Sequence, residues 1–176
     1  MVDLKSYIRE VPDFPTPGVS FKDIGPILAS PQHFQKAING MTVGLCMLSD
    51  KGASKIVAIE SRGFPLGGTI AYKMCVGLVL ARKKGKLPGK TVIASYALEY
   101  GSASLEIQDS VISKGDRVWV VDDVLATGGT AFATAELVCQ LGGVVDGFAF
   151  LLELSFLHGR EKLKGYDVFS LMSFDT

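Results

Sequence analysis

With 176 residues, 48% of them apolar and 20% charged, the chain is long enough for one domain with a sizeable core and has the composition of an ordinary globular protein. Lysine plus arginine equal aspartate plus glutamate at 18 each, so no global basic field argues for nucleic acid, and any anion site must be local. No apolar run nears membrane-spanning length and no signal-peptide succession opens the chain, so a cytoplasmic protein with no membrane partner is expected.

In chain order, Asp3 to Glu10 reads as a short helix. Val11-Pro12-Asp13-Phe14-Pro15-Thr16-Pro17-Gly18 then forbids regular structure, because each proline fixes φ and removes a donor. Val19 to Ile24 resumes with Phe21 in its middle, and on residues alone Phe14 and Phe21 simply anchor this arm. Ser30-Pro31 is a helix start, an N-cap followed by proline at the first helical position. Phe34, Ile38, Met41, Leu45 and Leu48 recur at spacings of three and four, giving one apolar face down to about Asp50. Cys46, Cys75 and Cys139 sit singly in apolar surroundings, without metal-ligand spacing or a disulfide framework, and read as buried thiols in a reducing compartment.

Lys55 to Glu60 predicts a strand, followed by the turn Ser61-Arg62-Gly63-Phe64-Pro65-Leu66-Gly67-Gly68 and a helix through about Val76. Arg62 in that turn is open to two readings, a surface arginine or an anion contact. Gly77 to Ala81 is a buried strand ending in Arg82 to Lys90, five cations in nine residues, a pattern that is usually a solvated loop. Thr91 to Tyr96 and Ser104 to Gln108 predict a hairpin. On its link Glu99 lies between Tyr96 and Tyr100, where a glutamate is most often merely exposed.

Val118-Trp119-Val120-Val121 reads as a strand buried on both faces, stopping at Asp122 and Asp123. Ala126-Thr127-Gly128-Gly129-Thr130 and a good helix former follow. Strand, glycine-rich turn and helix N-terminus present unpaired N–H groups and the positive end of a helix dipole, which makes the turn a candidate phosphate cradle. Two carboxylates beside a phosphate need another task, and a ribose 2',3'-diol supplies two donors to them near a metal-bound diphosphate. The competing reading is a solvated Asp-Asp turn with glycines serving only the bend. Neither the dinucleotide fingerprint nor a Walker loop is present.

The helix ends near Leu141, with Gly142-Gly143 as left-handed stop residues. A strand around Gly147 to Leu152, a short helix at His158 to Leu163 and a strand at Tyr166 to Leu171 complete the pattern. His33 and His158 lack acidic partners at a telling spacing, so no catalytic histidine is expected. The alternation predicts an α/β fold: a mostly parallel sheet of about five strands with helices on both faces, in a single domain over residues 1–176. The site then belongs at the carboxyl edge of the strands.

Val120 to Thr130 resembles the phosphoribosyl pyrophosphate (PRPP) signature of the type I phosphoribosyltransferases. Phe14-Pro15-Thr16-Pro17-Gly18 with Phe21-Lys22-Asp23, Glu60-Ser61-Arg62-Gly63-Phe64, Arg82-Lys83-Lys84-Gly85-Lys86-Leu87-Pro88 and Tyr96-Ala97-Leu98-Glu99-Tyr100-Gly101 narrow the resemblance to the branch that uses adenine. The resemblance implies Mg²⁺-dependent transfer of the phosphoribosyl group from PRPP to adenine, giving AMP and pyrophosphate in purine salvage, by a homodimer.

It further implies a hood over roughly residues 1–30, with Ser20, Phe21 and Lys22 at the adenine and Phe21 stacked on the purine. Bulky aliphatic and arginine residues are usual at positions 20 and 22, so Ser20 and Lys22 are departures that bear on side-chain contacts and not on backbone ones. Pyrophosphate contacts fall to Ser61, Arg62, Arg82, Lys83 and Lys86, some reaching the neighbouring subunit's site, with Arg62 also near the base. Ala126, Thr127, Gly128, Gly129 and Thr130 hold the phosphate of PRPP or AMP, while Asp122 and Asp123 hold the ribose near Mg²⁺ that PRPP itself mainly carries. Glu99 becomes the acid/base residue of a flexible loop hairpin over roughly residues 91–108, which Tyr100 helps to seal. A strained non-proline peptide near Glu60-Ser61, with the cis form among its options, is also implied. The rivals are a related transferase acting on xanthine, hypoxanthine or orotate, and a non-enzymatic PRPP sensor, which would normally carry an added DNA-binding segment.

Overall fold

The computed structural model describes residues 3–48, 52–97 and 102–176, which form two compact units, one up to Gly40 and one from Met41. In the first unit a 3-10 turn, Leu4–Tyr7, is capped by the Asp3 carboxylate accepting from the Lys5 N–H. It leads into β1 (Arg9–Val11), where the sequence predicts helix to continue through Glu10. β1 pairs antiparallel with β2 (Phe21–Asp23), placing Glu10 opposite Lys22 and Arg9 opposite Asp23. Those cross-strand charge pairs favour strand over helix for a segment of weak helical pattern. The prolines keep residues 12–18 irregular, with a cis Phe14–Pro15 bond and a turn closed by the Gly18 N–H donating to Asp13 Oδ1 at 2.7 Å. The short helix α1 (Gly25–Ala29) and the long helix α2 (Pro31–Leu48) follow, α2 starting at the proline as expected and running on into the second unit.

The second unit is built on a seven-stranded sheet in the order β5-β6-β4-β3-β7-β8-β9. Its strands are β3 (Lys55–Ile59), β4 (Gly77–Lys83), β5 (Thr91–Ala97), β6 (Ser102–Gln108), β7 (Arg117–Leu125), β8 (Val144–Leu154) and β9 (Asp167–Phe174). Five of them, β4, β3, β7, β8 and β9, are mutually parallel. The expectation of about five strands is corrected to seven: the β5–β6 hairpin joins the sheet through antiparallel pairing of β6 with the end of β4, Arg82 opposite Glu106 and Lys83 opposite Leu105.

Helix α3 (Gly63–Met74) connects β3 to β4 on one side, and α4 (Gly129–Gln140) connects β7 to β8 on the other. Two right-handed crossovers running in opposite directions along a sheet place their helices on opposite faces. Packing agrees. A Cβ added at Gly67 of α3 would lie 2.6 Å from Ala58 Cβ, so α3 sits on the Ile56/Ala58 face. Val57, Ile59, Val118, Val120, Phe148 and Phe150 cluster with α4 on the other face. On the α3 face, the second half of α2 meets Phe169 of β9 at Gly44.

The three cysteines are free and exposed, which corrects the expectation of buried thiols. Apolar sequence neighbours do not bury a residue whose helical phase points outward, as at Cys46 on α2 and Cys139 on α4.

Candidate active site

Strands β3, β4 and β7 run parallel side by side, so their carboxyl ends bring three loops to one edge of the sheet. These strand ends and loops carry residues 60–63, 82–90 and 126–130, Arg82 and Lys83 being the last two residues of β4.

Strand β7 does not stop at the aspartates. It continues through Asp122 and Asp123 to Leu125, held by pairing with β8 that places Asp122 opposite Phe150 and Leu125 opposite Glu153. The polar pair reads as the end of the strand in the sequence, but the tertiary ladder overrides that local signal. Asp122 is half-buried and Asp123 is only 3% exposed.

Immediately after β7 the chain turns into α4 through Gly128, the N-cap residue, at φ +78°. A side chain there would be strained, and its Cβ would lie 2.5 Å from the Gly159 carbonyl oxygen. The first bond of the helix is the Phe132 N–H donating to Gly128 C=O at 3.0 Å. The N–H groups of Gly129, Thr130 and Ala131 precede it and are the helix's unpaired first-turn donors. They border a pocket of about 70 Å³ lined by residues 126–131 together with Asp122, Val124, Leu125 and Phe150. All five predicted cradle residues, Ala126 through Thr130, line it. Among the described residues the lining holds no lysine or arginine, so an anion there meets oriented amides, hydroxyls and the helix dipole.

The loop after β3 carries a cis peptide between Glu60 and Ser61, the form the resemblance left among its options. Gly63 opens α3 against Val121 and Asp122 of β7: a Cβ added there would lie 2.9 Å from both Asp122 Oδ1 and the Val121 carbonyl oxygen. Only glycine permits this approach, which sets Arg62 beside the aspartates. The Arg62 Nε lies 2.7 Å from Asp123 Oδ2, and the guanidinium side chain remains 41% exposed. Burial pushes the Asp122 carboxyl well above the usual aspartate range, and the charge of Asp123 pushes it further. Burial raises Asp123 too, with Arg62 opposing the rise. Two adjacent carboxyls thus share one guanidinium, and their charge is incompletely balanced.

Glu60 ties this loop to the next one. Its carboxylate accepts from Arg82 Nε at 3.2 Å and from the Lys83 N–H at 2.9 Å. Burial raises the Glu60 carboxyl, but the Lys83 N–H and Arg82 outweigh it and hold the group below the ordinary glutamate value. Arg82 also donates to the Lys86 carbonyl at 3.0 Å. From β6, buried Glu106 accepts from the N–H groups of Lys86 and Leu87, each at 2.8 Å, and from Thr91 Oγ1 at 3.1 Å. Ser61 and Arg62 after β3, Arg82 and Lys83 at the end of β4, and Lys86 in the loop that follows are thereby gathered at the edge that holds the Asp pair. Sequence reasoning assigned no task to Glu60 or Glu106. The sheet pairing that explains both, Arg82 opposite Glu106, has no local signature.

Glu99 and Tyr100 lie outside the described residues. Ser20, Phe21 and Lys22 belong to the first unit. There Phe21 meets Phe14 edge to face at 5.1 Å between centroids, and the buried Lys22 ammonium lies 2.6 Å from Glu10 Oε1. The charge of Lys22 is therefore engaged within the arm itself.

The family model for the phosphoribosyl transferase domain matches residues 28–167. An adenine phosphoribosyltransferase of Koribacter versatilis is 49% identical over 172 residues, covering 98% of this chain and 93% of that protein. One from Thermotoga petrophila is 50% identical over 171 residues, covering 97% and 99%. Among solved structures, adenine phosphoribosyltransferase from Thermoanaerobacter pseudethanolicus aligns with a TM-score of 0.93 at 48% identity, over 97% of this chain and 98% of that one. The Saccharomyces cerevisiae enzyme, complexed with an imino-altritol bisphosphate and adenine, aligns at 0.91 with 44% identity over 96% of each chain. On motif, geometry and likeness together, the chain belongs to the adenine phosphoribosyltransferases within the phosphoribosyl transferase domain family.

Proposed function

We propose that the protein transfers the 5-phosphoribosyl group of PRPP to N9 of adenine, releasing AMP and pyrophosphate. The observation that carries this reading is the Asp122–Asp123 pair standing between an amide-lined phosphate pocket and the Arg62 loop. That order matches a 5-phosphate, a ribose and a diphosphate in sequence.

The anomeric carbon loses pyrophosphate through a transition state of oxocarbenium character, positive on the ribose and negative on the departing oxygens. Asp122 and Asp123 accept from the ribose hydroxyls and face the cationic ring. The Ser61 loop with Arg62, and the cations Arg82, Lys83 and Lys86, stabilise the leaving group. Glu99 takes the N7 proton as N9 attacks, and returns it in the reverse direction. Tyr100 helps to close that segment over the site, while Phe21 stacks on the purine and the backbone at Ser20 and Lys22 reads its edge.

The donor set bears on Mg²⁺. Among the described residues no group of three or more histidine, cysteine or acidic side chains forms a metal cage. At the strand edge stand two aspartates, one already paired with Arg62, which fits a divalent ion arriving on substrate phosphates. Asp122 and Asp123 would hold it, and when bound it neutralises charge on the diphosphate.

Large apolar side chains exposed on the second unit, Val43, Met47, Tyr72 and Leu78, support a homodimer. Free exposed thiols support a reducing compartment such as the cytoplasm. No helix among the described residues is long and apolar enough to cross a membrane.

The test is pyrophosphate release from PRPP and Mg²⁺ with adenine, hypoxanthine, xanthine or orotate supplied separately. Release with adenine alone is expected. Release with another base would discard the adenine assignment, and PRPP binding without release from any base would point to a sensor.

A further inference from the structure

Beyond the residues that line the phosphate pocket, the 3-10 turn Gly159–Leu163 stands directly behind it. The backbones meet without an intervening side chain. A Cβ at Gly128 would lie 2.5 Å from the Gly159 carbonyl oxygen, and a Cβ at Gly159 would lie 2.2 Å from the Ala126 carbonyl oxygen. Leu125, the residue entering the cradle, is in contact with the same spot: its Cδ1 would be 2.9 Å from that second Cβ.

The turn itself is fixed by one arginine. Arg160 Nε donates to Glu153 Oε1 at 2.8 Å and Nη2 donates to Oε2 at 2.7 Å, while Nη1 donates to the Val168 carbonyl of β9 at 3.0 Å. Glu153 is 6% exposed, and its strand register sets it beside Leu125. The guanidinium thus clamps the turn to β8 and β9, the strands that extend the ladder beyond β7. Neither Arg160 nor Glu153 lines the pocket.

We propose that Gly159, Arg160 and Glu153 are positioning residues for the 5-phosphate: the Glu153–Arg160 pair holds the Gly159 backbone against Ala126 and Gly128 and so sets the width of the cradle. This rests on the reading of residues 126–130 as the 5-phosphate site. Its prediction is selective. Disturbing the clamp weakens ligands that carry a 5-phosphate and spares those that bind only at the Arg62 and Arg82 loops.

The experiment titrates ribose 5-phosphate and, separately, pyrophosphate with Mg²⁺ into the full chain and its Gly159→Ala, Arg160→Met and Arg160→Lys variants, with KM and kcat measured alongside. For Gly159→Ala and Arg160→Met, ribose 5-phosphate should bind roughly tenfold more weakly and KM for PRPP should rise by a similar factor, with pyrophosphate affinity and kcat near wild type. Arg160→Lys keeps the charge but loses the planar fork, and a smaller shift of the same selectivity is expected even if the other variants fold poorly. Unchanged ribose 5-phosphate affinity in folded variants, or equal loss of both ligands, overturns the inference. Failure of the wild type to bind ribose 5-phosphate would overturn the cradle reading itself, and the inference with it.

Discussion

Glu60 and Arg82 form an ion pair across the ends of two parallel strands, Arg82 Nε lying 3.2 Å from Glu60 Oε2, and the same oxygen accepts the Lys83 N–H. The segment that follows β3 and the cationic end of β4 are thus held together by one carboxylate. Replacing Glu60 by alanine should raise KM for pyrophosphate in the reverse reaction by roughly tenfold, about 1.4 kcal/mol. KM for AMP should change little. Reverse kinetics check this, and equal shifts in the two constants would remove Glu60 from the role.

Asp122→Asn separates stability from function. Burial and Asp123 raise the Asp122 carboxyl, so the folded chain holds this proton at pH values where the unfolded chain has lost it. Stability from this group is therefore full below the ordinary aspartate pKa and is lost as pH rises through the folded value. The neutral amide removes that loss, so Tm at neutral pH should rise, by about 2–4 °C for each kcal/mol recovered. Activity should fall by about two orders of magnitude as ribose contacts are lost. Thermal melts across pH and steady-state kinetics on one preparation decide both halves.

Gly63→Ala places a methyl 2.9 Å from Asp122 Oδ1 and from the Val121 carbonyl. Overpacking of this kind costs about 1–3 kcal/mol. Because the strain falls on the Asp pair, kcat/KM for PRPP should drop more than stability alone explains. Denaturant unfolding and kinetics at a temperature where the variant is fully folded test this. Wild-type kinetics in a destabilised variant would refute the coupling.

Glu99→Ala removes the proposed proton acceptor and should lower kcat by about 10²–10⁴. PRPP binding, measured calorimetrically without the base, should be retained. Unaltered turnover would take Glu99 out of the chemistry.

The geometry of the candidate cradle was legible because all its parts are contiguous: an apolar strand, a glycine that must take positive φ, and the start of a helix. The helical face through Ile38, Met41 and Leu45 and the proline-broken arm were legible for the same reason, although Leu48, at the end of the same pattern, is exposed. What escaped depends on pairing between distant segments. Glu106 anchors Lys86 and Leu87 from 20 and 19 residues away, and nothing in its own hairpin sequence sets it apart. Cys46 and Cys139 misled because neighbouring apolar residues do not report helical phase, and Cys75 stands past the end of α3 as its left-handed C-cap. Asp122 and Asp123 read as a strand end because β7 turns polar there, whereas hydrogen bonding to β8 extends the strand through them. Arg160 of the Glu153–Arg160 clamp lies in a segment that reads only as a short helix, and its partner Glu153 lies on β8.

That extension of β7 has a thermodynamic consequence. Carboxylates carried on a hydrogen-bonded ladder have already surrendered their backbone entropy during folding, whereas residues in a turn would surrender it on meeting the ligand. The Asp122–Asp123 half of the site, proposed for the sugar, is thus built in advance, and the half proposed for the diphosphate hangs on side-chain bridges such as Glu60 to Arg82. Calorimetry should resolve the difference: ribose 5-phosphate should bind with a smaller unfavourable entropy than pyrophosphate does, its binding energy passing into affinity with little diverted to ordering the chain.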